Sequence, residues 1–201
     1  YYHLGLAHYL KGDFAKVTAP IAPAGRVAPK APYGYVLDGR LNDSFRAANL
    51  LWDRGVATRR VSAAADGLRP GDWIVPAGPD TAIADVARLT GVSFTPLKAA
   101  VTKGAHEARR LRIGIYRRYR GGNMDEGWTR WLFEQWGFPF TEVYDAEILK
   151  GNLNANYYVF IFADDPSVHR GTLEWLNDCR KRGLQVIGQG ITSDAPTLFT
   201  L

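Results

Sequence analysis

Asp165, Ser167 and His169 are the residues of this chain whose types could together carry out nucleophilic hydrolysis. That chemistry needs a hydroxyl group, a base that takes its proton and a carboxylate that orients the base, all brought together in space. Three such residues within six positions of one loop rarely meet that geometry. Asp165 directly precedes Pro166, and a turn-forming role explains it more simply. A hydrolase built on these side chains is therefore one hypothesis, and an ordinary turn is the interpretation we prefer.

An arginine-rich loop is the second candidate site. Loop 117–124 follows a predicted strand and precedes a predicted helix, and helix N-termini together with guanidinium groups attract anions. It is not a phosphate loop, because the Gly-x-x-x-x-Gly-Lys-Ser/Thr spacing is absent. A glutamine follows another predicted strand at the same edge of the sheet. The candidate ligand-binding residues are Arg117, Arg118, Arg120, Asn123 and Gln189.

Two acidic residues begin the helix that follows this loop. Asp125 and Glu126 fall in its predicted first turn, where their charges compete with a bound anion for the positive end of the helix dipole. We interpret Asp125 as the structural N-cap of the helix. The ligand-binding hypothesis therefore stands beside a simpler one, in which the arginines are solvated and the helix is capped.

The histidines and the cysteine predict no metal site. No two histidines are spaced i, i+4, and His106-Glu107 is followed by arginines instead of a second histidine. The single cysteine, Cys179, excludes an internal disulfide and a cysteine-rich metal site, and we interpret it as a structural thiol. We expect no catalytic residue, no metal and no cofactor in this chain.

Composition and charge narrow the class of protein. Of its 201 residues, 46% are hydrophobic and 12% aromatic, which is typical of a globular protein and not of a disordered one. The formal charge of +5 is mildly basic, but a predicted strand divides the densest arginine cluster, so we expect no nucleic-acid binding. No run of about 18 apolar residues exists, so we expect no membrane span. The chain begins without Met and without a signal-peptide pattern, and we expect a fragment or a processed chain.

The pattern of helix and strand signals predicts three segments. Residues 1–32 form an N-terminal segment and a proline-rich linker, with a helix or irregular part through Leu10 and a strand near 14–18. Residues 33–110 form a first α/β subdomain, and its polar part 98–110 is the boundary to the next. We predict its helices from Asn42 or Asp43 to Gly55 and over 80–90, with Asp80 as a cap. Its predicted strands are 33–37, 56–61, 73–75 and 92–97.

Residues 111–201 form the second α/β subdomain, which we expect to be truncated or completed by another part of the molecule. A helix begins at Asp125, and Trp128, Trp131, Leu132 and Gln135 recur on it three or four residues apart. The other predicted helices are 145–150 and 171–182, and the predicted strands are 111–116, 140–144, 157–163 and 184–187. Alternating strands and helices predict a mostly parallel, flavodoxin-like sheet whose ligands bind beyond the carboxyl ends of its strands.

One string of residues carries a family resemblance. Met124-Asp-Glu-Gly-Trp-Thr-Arg-Trp131, supported by Asp145-Ala-Glu-Ile148 and by Gly71-Asp-Trp-Ile-Val-Pro76, resembles the C-terminal region of large bacterial zinc-carboxypeptidase-like proteins. The resemblance covers most of the chain and implies a class I glutamine-amidotransferase-like fold without that fold's cysteine nucleophile. Gly190 stands where the nucleophile would be expected.

The resemblance also implies what the chain belongs to. The parent would carry zinc and metallocarboxypeptidase activity on a catalytic domain that supplies a His-x-x-Glu pair, and no such pair is found here. We therefore expect a non-catalytic region that packs on the peptidase domain of the same polypeptide. The resemblance suggests a secreted or periplasmic parent, and the sequence leaves the compartment and a homo-oligomer open. A small-ligand or peptide-binding module that uses loop 117–124 is the alternative.

Overall fold

The computed structural model describes residues 12, 15–19, 23–29, 31–64, 66–117, 124–163, 181 and 185–189. Within them the chain forms two β-sheets and five helices. The elements of the first sheet and its helices are β1 (Tyr35–Leu37), α1 (Asn42–Asp53), β2 (Thr58–Val61), β3 (Trp73–Val75), α2 (Asp80–Thr90), β4 (Thr95–Pro96) and β5 (Ala105–Ala108). The second sheet and its helices comprise β6 (Ile113–Tyr116), α3 (Met124–Trp136), β7 (Phe140–Val143), α4 (Asp145–Lys150), α5 (Leu153–Asn156), β8 (Val159–Ala163) and β9 (Gln185–Gln189).

The first sheet is antiparallel, with strand order β4-β1-β3-β2-β5. Alternating strands and helices led us to expect mostly parallel strands in this half as well, and the antiparallel pairing corrects that expectation. β1 and β2 do run in the same direction, as a strand–helix–strand unit requires, but β3 lies between them and pairs antiparallel with both. The segment that connects β2 to β3 reverses the chain direction, and near its end the Gly71 amide donates to the Val61 carbonyl. Strands and helices therefore alternate along the chain as predicted, but the strands that lie next to each other in the sheet are not the ones expected.

Each face of the first sheet covers its own apolar cluster. On one face α1 and α2 pack over the strands, and fully buried Leu37, Leu51 and Val86 lie in that cluster. The opposite face carries Val61, Ile74 and Leu97, which the segment after β4 covers. Gly91 ends α2 in the left-handed conformation, as the sequence predicts.

The second sheet is parallel, with strand order β7-β6-β8-β9. All five residues of β8 are buried, which fits the predicted apolar run of a strand covered on both faces. One cluster contains Val143, Leu153 and Phe160, and the other contains Ile113, Ile115 and Ile161. The chain is thus a mixed α/β protein with one antiparallel and one parallel sheet, and its likeness to flavodoxin stays a prediction.

The end of α3 connects the two sheets. Gly137 takes a φ of 70° after the last helical residue, the Phe138 amide donates to Phe133 and the Gly137 amide donates to Glu134. This is a Schellman ending, and the Phe133 and Phe138 rings lie 5.5 Å apart as its apolar contact. The buried Asn49 of α1 donates from Nδ2 to the Trp136 carbonyl at 2.9 Å. The terminal carbonyl of α3 therefore receives its hydrogen bond from the first half of the chain.

Several sequence predictions need correction. Residues 15–19 have no regular secondary structure, so the strand predicted near 14–18 is wrong in its described part. β5 lies inside the stretch 98–110 that was predicted to be a boundary, and it forms the exposed edge of the first sheet. The predicted strand 92–97 is reduced to Thr95–Pro96, and α5 was not predicted. The predicted helix 171–182 lies outside the described residues apart from Lys181, which is helical.

The residues predicted as helix caps lie inside the helices in the structure, past the N-cap position. α1 begins at Asn42 after Leu41, and α2 begins at Asp80 after Pro79, with no side-chain capping hydrogen bond in either case. The acidic side chains lie in the first turn, where their negative charge still interacts favourably with the helix dipole.

No helix in the described part of the chain is long and apolar enough to cross a membrane.

Candidate functional site

The carboxyl edge of the parallel sheet is where the sequence placed a ligand site. β6 ends at Tyr116, whose hydroxyl donates to the Asp145 Oδ1 atom at 2.7 Å. The next amide, that of Arg117, donates to the Val143 carbonyl at 2.8 Å. The ends of β6 and β7 are thus tied together at this edge. Gln189 is the last residue of β9, at the same edge, and pairs with Ala163.

Glu142 neutralises the arginine that opens the predicted ligand loop. Its carboxylate forms ion pairs with Arg117 and Arg130 and accepts a hydrogen bond from the Tyr144 hydroxyl at 3.0 Å. The hydrogen bond from Arg117 is the main cause that lowers the pKa of Glu142, and the same contact raises the pKa of Arg117. Because its charge is already compensated, Arg117 has less to offer an anionic ligand than the sequence suggested.

The other residues of the predicted site are only partly placed. Arg118, Arg120 and Asn123 lie outside the described residues. α3 begins at Met124, so Asp125 occupies a first-turn position and not the N-cap position assigned to it from the sequence. The structure therefore places Arg117 and Gln189 at the same edge of the sheet, with β8 between their strands, and it leaves the rest of the loop as a prediction.

A buried ion pair holds α3 against β7. Glu126 is 6% exposed, and its carboxylate pairs with Arg130 one turn later on the same helix. Arg130 also pairs with Glu142 at 2.9 Å, so one guanidinium joins a helix carboxylate to a strand carboxylate. Glu142 was not singled out from the sequence, because an acidic residue in a short strand has no distinctive spacing. The inward position of α3 that faces β7 is therefore occupied by charge.

The outward face of α3 is apolar. We call this surface the α3 stripe, and it consists of Met124, Trp128, Trp131 and Leu132. Trp128 is 64% exposed and Trp131 is 50% exposed, and their rings meet edge to face with centroids 5.7 Å apart. The spacing i, i+4, i+7 and i+8 places all four side chains on one helical face. The helix thus buries Glu126 and packs Phe133 inward, while it leaves Trp128 and Trp131 exposed on its outer face.

The structure does not describe the residues of the predicted hydrolytic site, and it shows no metal site among the residues that it does describe. Asp165, Ser167 and His169 lie outside the described residues, as do Cys179 and Gly190. His106, on β5, makes a 3.0 Å contact between its Nδ1 atom and the Ser62 hydroxyl. Within the described ranges, no group of three or more His, Cys, Asp or Glu side chains is placed to hold a metal ion.

Comparison of the chain with models of protein families, with curated proteins and with solved structures gives no match in any of the three.

Proposed function

We propose that this chain is the non-catalytic C-terminal region of a zinc-carboxypeptidase-like protein, and that it packs through the α3 stripe on the peptidase domain of the same polypeptide. The observation that carries the proposal is the exposure of Trp128 and Trp131 beside Met124 and Leu132 on one helical face. Contiguous exposed apolar patches on soluble domains mark surfaces that another protein covers. Three of the four residues of the stripe, Met124, Trp128 and Trp131, also lie within the residue string that carries the family resemblance.

The size of the stripe suits a docking surface. A tryptophan side chain buries up to about 250 Å², so the exposed fractions of Trp128 and Trp131 leave roughly 280 Å² for a partner to cover. At about 25 cal/mol per Å², covering them would contribute on the order of 7 kcal/mol before the cost of association. Tryptophan is also the residue type most enriched among binding hot spots.

The charged side of α3 keeps the stripe in its outward position. Rotating the helix to bury the tryptophans would expose Phe133, which packs on Phe138 and Phe140, and would break the ion pair between Arg130 and Glu142 of β7. Breaking a buried ion pair costs several kcal/mol. The stripe is therefore held facing away from the sheet and remains available to a partner.

A binding measurement tests this proposal. The peptidase domain of the same polypeptide is titrated with this chain by calorimetry, and the double variant Trp128→Ser/Trp131→Ser is compared with the unaltered chain. We expect saturable binding that the double variant weakens at least 100-fold, given the apolar area removed. The matched control is Leu41→Ser/Leu89→Ser, which removes two exposed apolar side chains from the first half and should leave binding unchanged.

Two results would defeat the proposal. One is an absence of binding between the two domains at high micromolar concentration. The other is stoichiometric zinc together with carboxypeptidase turnover in this chain alone, since a catalytic chain would need no separate peptidase domain.

A further inference from the structure

A cavity of about 440 Å³ opens on the outer face of the first sheet, far in sequence from the α3 stripe. Its apolar walls come from Ile74 of β3, Leu97 after β4 and Val101 in the following segment. Ile74 and Leu97 are buried, at 6% and 7% exposure. The volume is within the range that small-molecule sites occupy. Neither the sequence nor the proposed docking function assigns a role to this cavity.

A row of three side chains runs across the sheet at the cavity. Arg59 pairs in register with Ile74 on one side and with Glu107 on the other, so the three residues stand on the same face of β3, β2 and β5. Directly opposed residues have Cβ atoms about 5 Å apart. All three line the cavity. One apolar, one cationic and one anionic group therefore follow one another at strand spacing.

Arg59 is a fixed cation without a carboxylate partner in the described part of the chain. Its Nη1 atom donates to the Val101 carbonyl at 2.6 Å, and its Nη2 atom donates to the Ala105 carbonyl at 3.0 Å. These bonds use two of the five guanidinium N–H groups, which leaves three as donors. Two backbone anchors hold the planar group in place, so a ligand carboxylate would find it preorganised.

Glu107 supplies the opposite charge at the exposed edge strand. It pairs with Arg109 at 3.5 Å, and both side chains are well exposed, at 63% and 80%. Such surface pairs contribute little, so an ammonium group can displace Arg109 at small cost. A ligand with a carboxylate alone would be repelled by Glu107, and one with an ammonium alone would be repelled by Arg59.

We propose that this cavity binds a free α-amino acid with an apolar side chain. Its carboxylate bonds to Arg59, its ammonium to Glu107, and its side chain lies against Ile74, Leu97 and Val101. The carboxylate, the ammonium group and the side chain of an amino acid diverge from one carbon atom. This arrangement fits a cation, an anion and an apolar wall that follow one another at the spacing of neighbouring strands. This inference does not depend on the proposed docking function and can fail or succeed without it.

The test uses the unaltered chain and three related ligands. L-leucine, L-leucinamide and N-acetyl-L-leucine are titrated while backbone amide shifts of residues 97–107 are followed by NMR. We expect saturable shifts with L-leucine, and affinities weaker by about tenfold or more for the amide and the N-acetyl form, because each lacks one charge-assisted contact. No saturable shift with L-leucine, or equal affinity for all three compounds, would overturn the proposal.

Two matched substitutions locate the site. Ala100 is exposed and lines the cavity, whereas its neighbour Ala99 is exposed and does not line it. Ala100→Trp should abolish L-leucine binding and Ala99→Trp should preserve it, and equal effects of the two would contradict the proposed location. Glu107→Gln should weaken L-leucine at least about fivefold, because the free ammonium loses its carboxylate, and should leave the binding of N-acetyl-L-leucine unweakened or make it tighter, because the repulsion of its carboxylate is removed. An equal loss for both ligands would contradict the assigned role.

Discussion

Asn49 provides a sharp test of how the two halves are joined. It is 1% exposed, its Nδ2 atom donates to the Trp136 carbonyl, and its own carbonyl accepts from Arg110 at 2.9 Å. The Oδ1 atom has no hydrogen-bond partner among the residues that the structure describes. Asn49→Ala therefore removes one useful donor and one buried unpaired acceptor together. We expect a modest net loss of about 1 kcal/mol in the free energy of unfolding.

Asn49→Asp should change the free energy of unfolding much more than Asn49→Ala, although it replaces only the side-chain NH₂ group by an oxygen. At pH 7 it places a carboxylate against the Trp136 carbonyl in a buried site, with no donor to offer. We expect a loss of about 3 kcal/mol, reduced from larger values by the nearby Arg110 guanidinium. Burial raises the pKa of the new carboxyl group, so its destabilisation grows as pH rises and shrinks as pH falls. At pH 4 the carboxyl group is largely neutral and can donate to the Trp136 carbonyl, so the loss should fall to no more than that of Asn49→Ala.

The assay is urea unfolding followed by tryptophan fluorescence at pH 7 and at pH 4. Asn156→Asp makes the same chemical change at an exposed position and serves as the control, with an expected change below about 0.5 kcal/mol. The reasoning is refuted if Asn49→Ala and Asn49→Asp are equally destabilising at pH 7. It is equally refuted if the cost of Asn49→Asp does not change between the two pH values.

Three further predictions concern other parts of the fold. Glu142→Gln should lower Tm by a few degrees at pH 7, because it removes the carboxylate beside Arg117. That arginine holds the pKa of Glu142 below its usual value. The stabilisation of the folded chain by ionised Glu142 is therefore present above about pH 4.5 and is lost as pH falls through the lowered pKa. The Tm values of the unaltered chain and the variant should converge in acid. Gly39→Ala should cost about 3 kcal/mol in urea unfolding, because its Cβ atom would lie 1.8 Å from the Gly71 carbonyl oxygen. Tyr157→Phe should remove a phenol that titrates late in ultraviolet difference spectra, because burial, with help from a glutamate, raises the pKa of Tyr157 to about 12.

Each of these has a control and a contrary result. Glu107→Gln changes an exposed glutamate and should leave Tm nearly unaltered, and a loss equal to that of Glu142→Gln would contradict the ion-pair argument. Gly127 is the fourth residue of α3, and a Cβ atom added there meets no atom within 4 Å in the described part of the chain. Gly127→Ala should therefore stabilise by up to about 1 kcal/mol, and a loss like that of Gly39→Ala would show that steric contact is not the cause. A Tyr157 titration near pH 10 would contradict its described burial.

Local signals predicted most of the described helices and strands. Glycines mark helix ends at Gly91 and Gly137, where a left-handed residue is needed and glycine adopts it without a Cβ clash. The continuous apolar run of β8 indicated a buried parallel strand, and pairing confirms it. Helix ends and buried strands are determined by residues that are close in sequence, so the sequence alone can predict them.

Pairing across the first sheet could not be read in the same way. A strand–helix–strand pattern fixes the direction of β1 relative to β2 but not whether β3 inserts between them. β5 was missed because its sequence, Ala-His-Glu-Ala, lacks apolar alternation, and an edge strand held by one neighbour does not need it. The cavity at Arg59 depends on the pairing of β2 with β3 and β5, so the sequence alone could not predict it.

The candidate site shows the same division. Arg117 was predicted from its position after β6, and the structure places it there. Its neutralisation by Glu142 comes from the parallel register of β6 and β7, which sets the two residues beside each other. The outward direction of Trp128 and Trp131 likewise depends on which face of α3 the sheet covers, and helical spacing alone cannot decide that.

Hydroxyl-radical footprinting of Trp128 and Trp131 tests the docking proposal most directly, by comparing this chain alone with the full-length polypeptide that contains the peptidase domain. In the isolated chain both side chains are at least half exposed and should be oxidised readily. We predict that their oxidation falls several-fold in the full-length polypeptide while that of the exposed Tyr33 in the first half stays the same. Equal oxidation of both tryptophans in the two samples would contradict the proposal that the peptidase domain covers the α3 stripe.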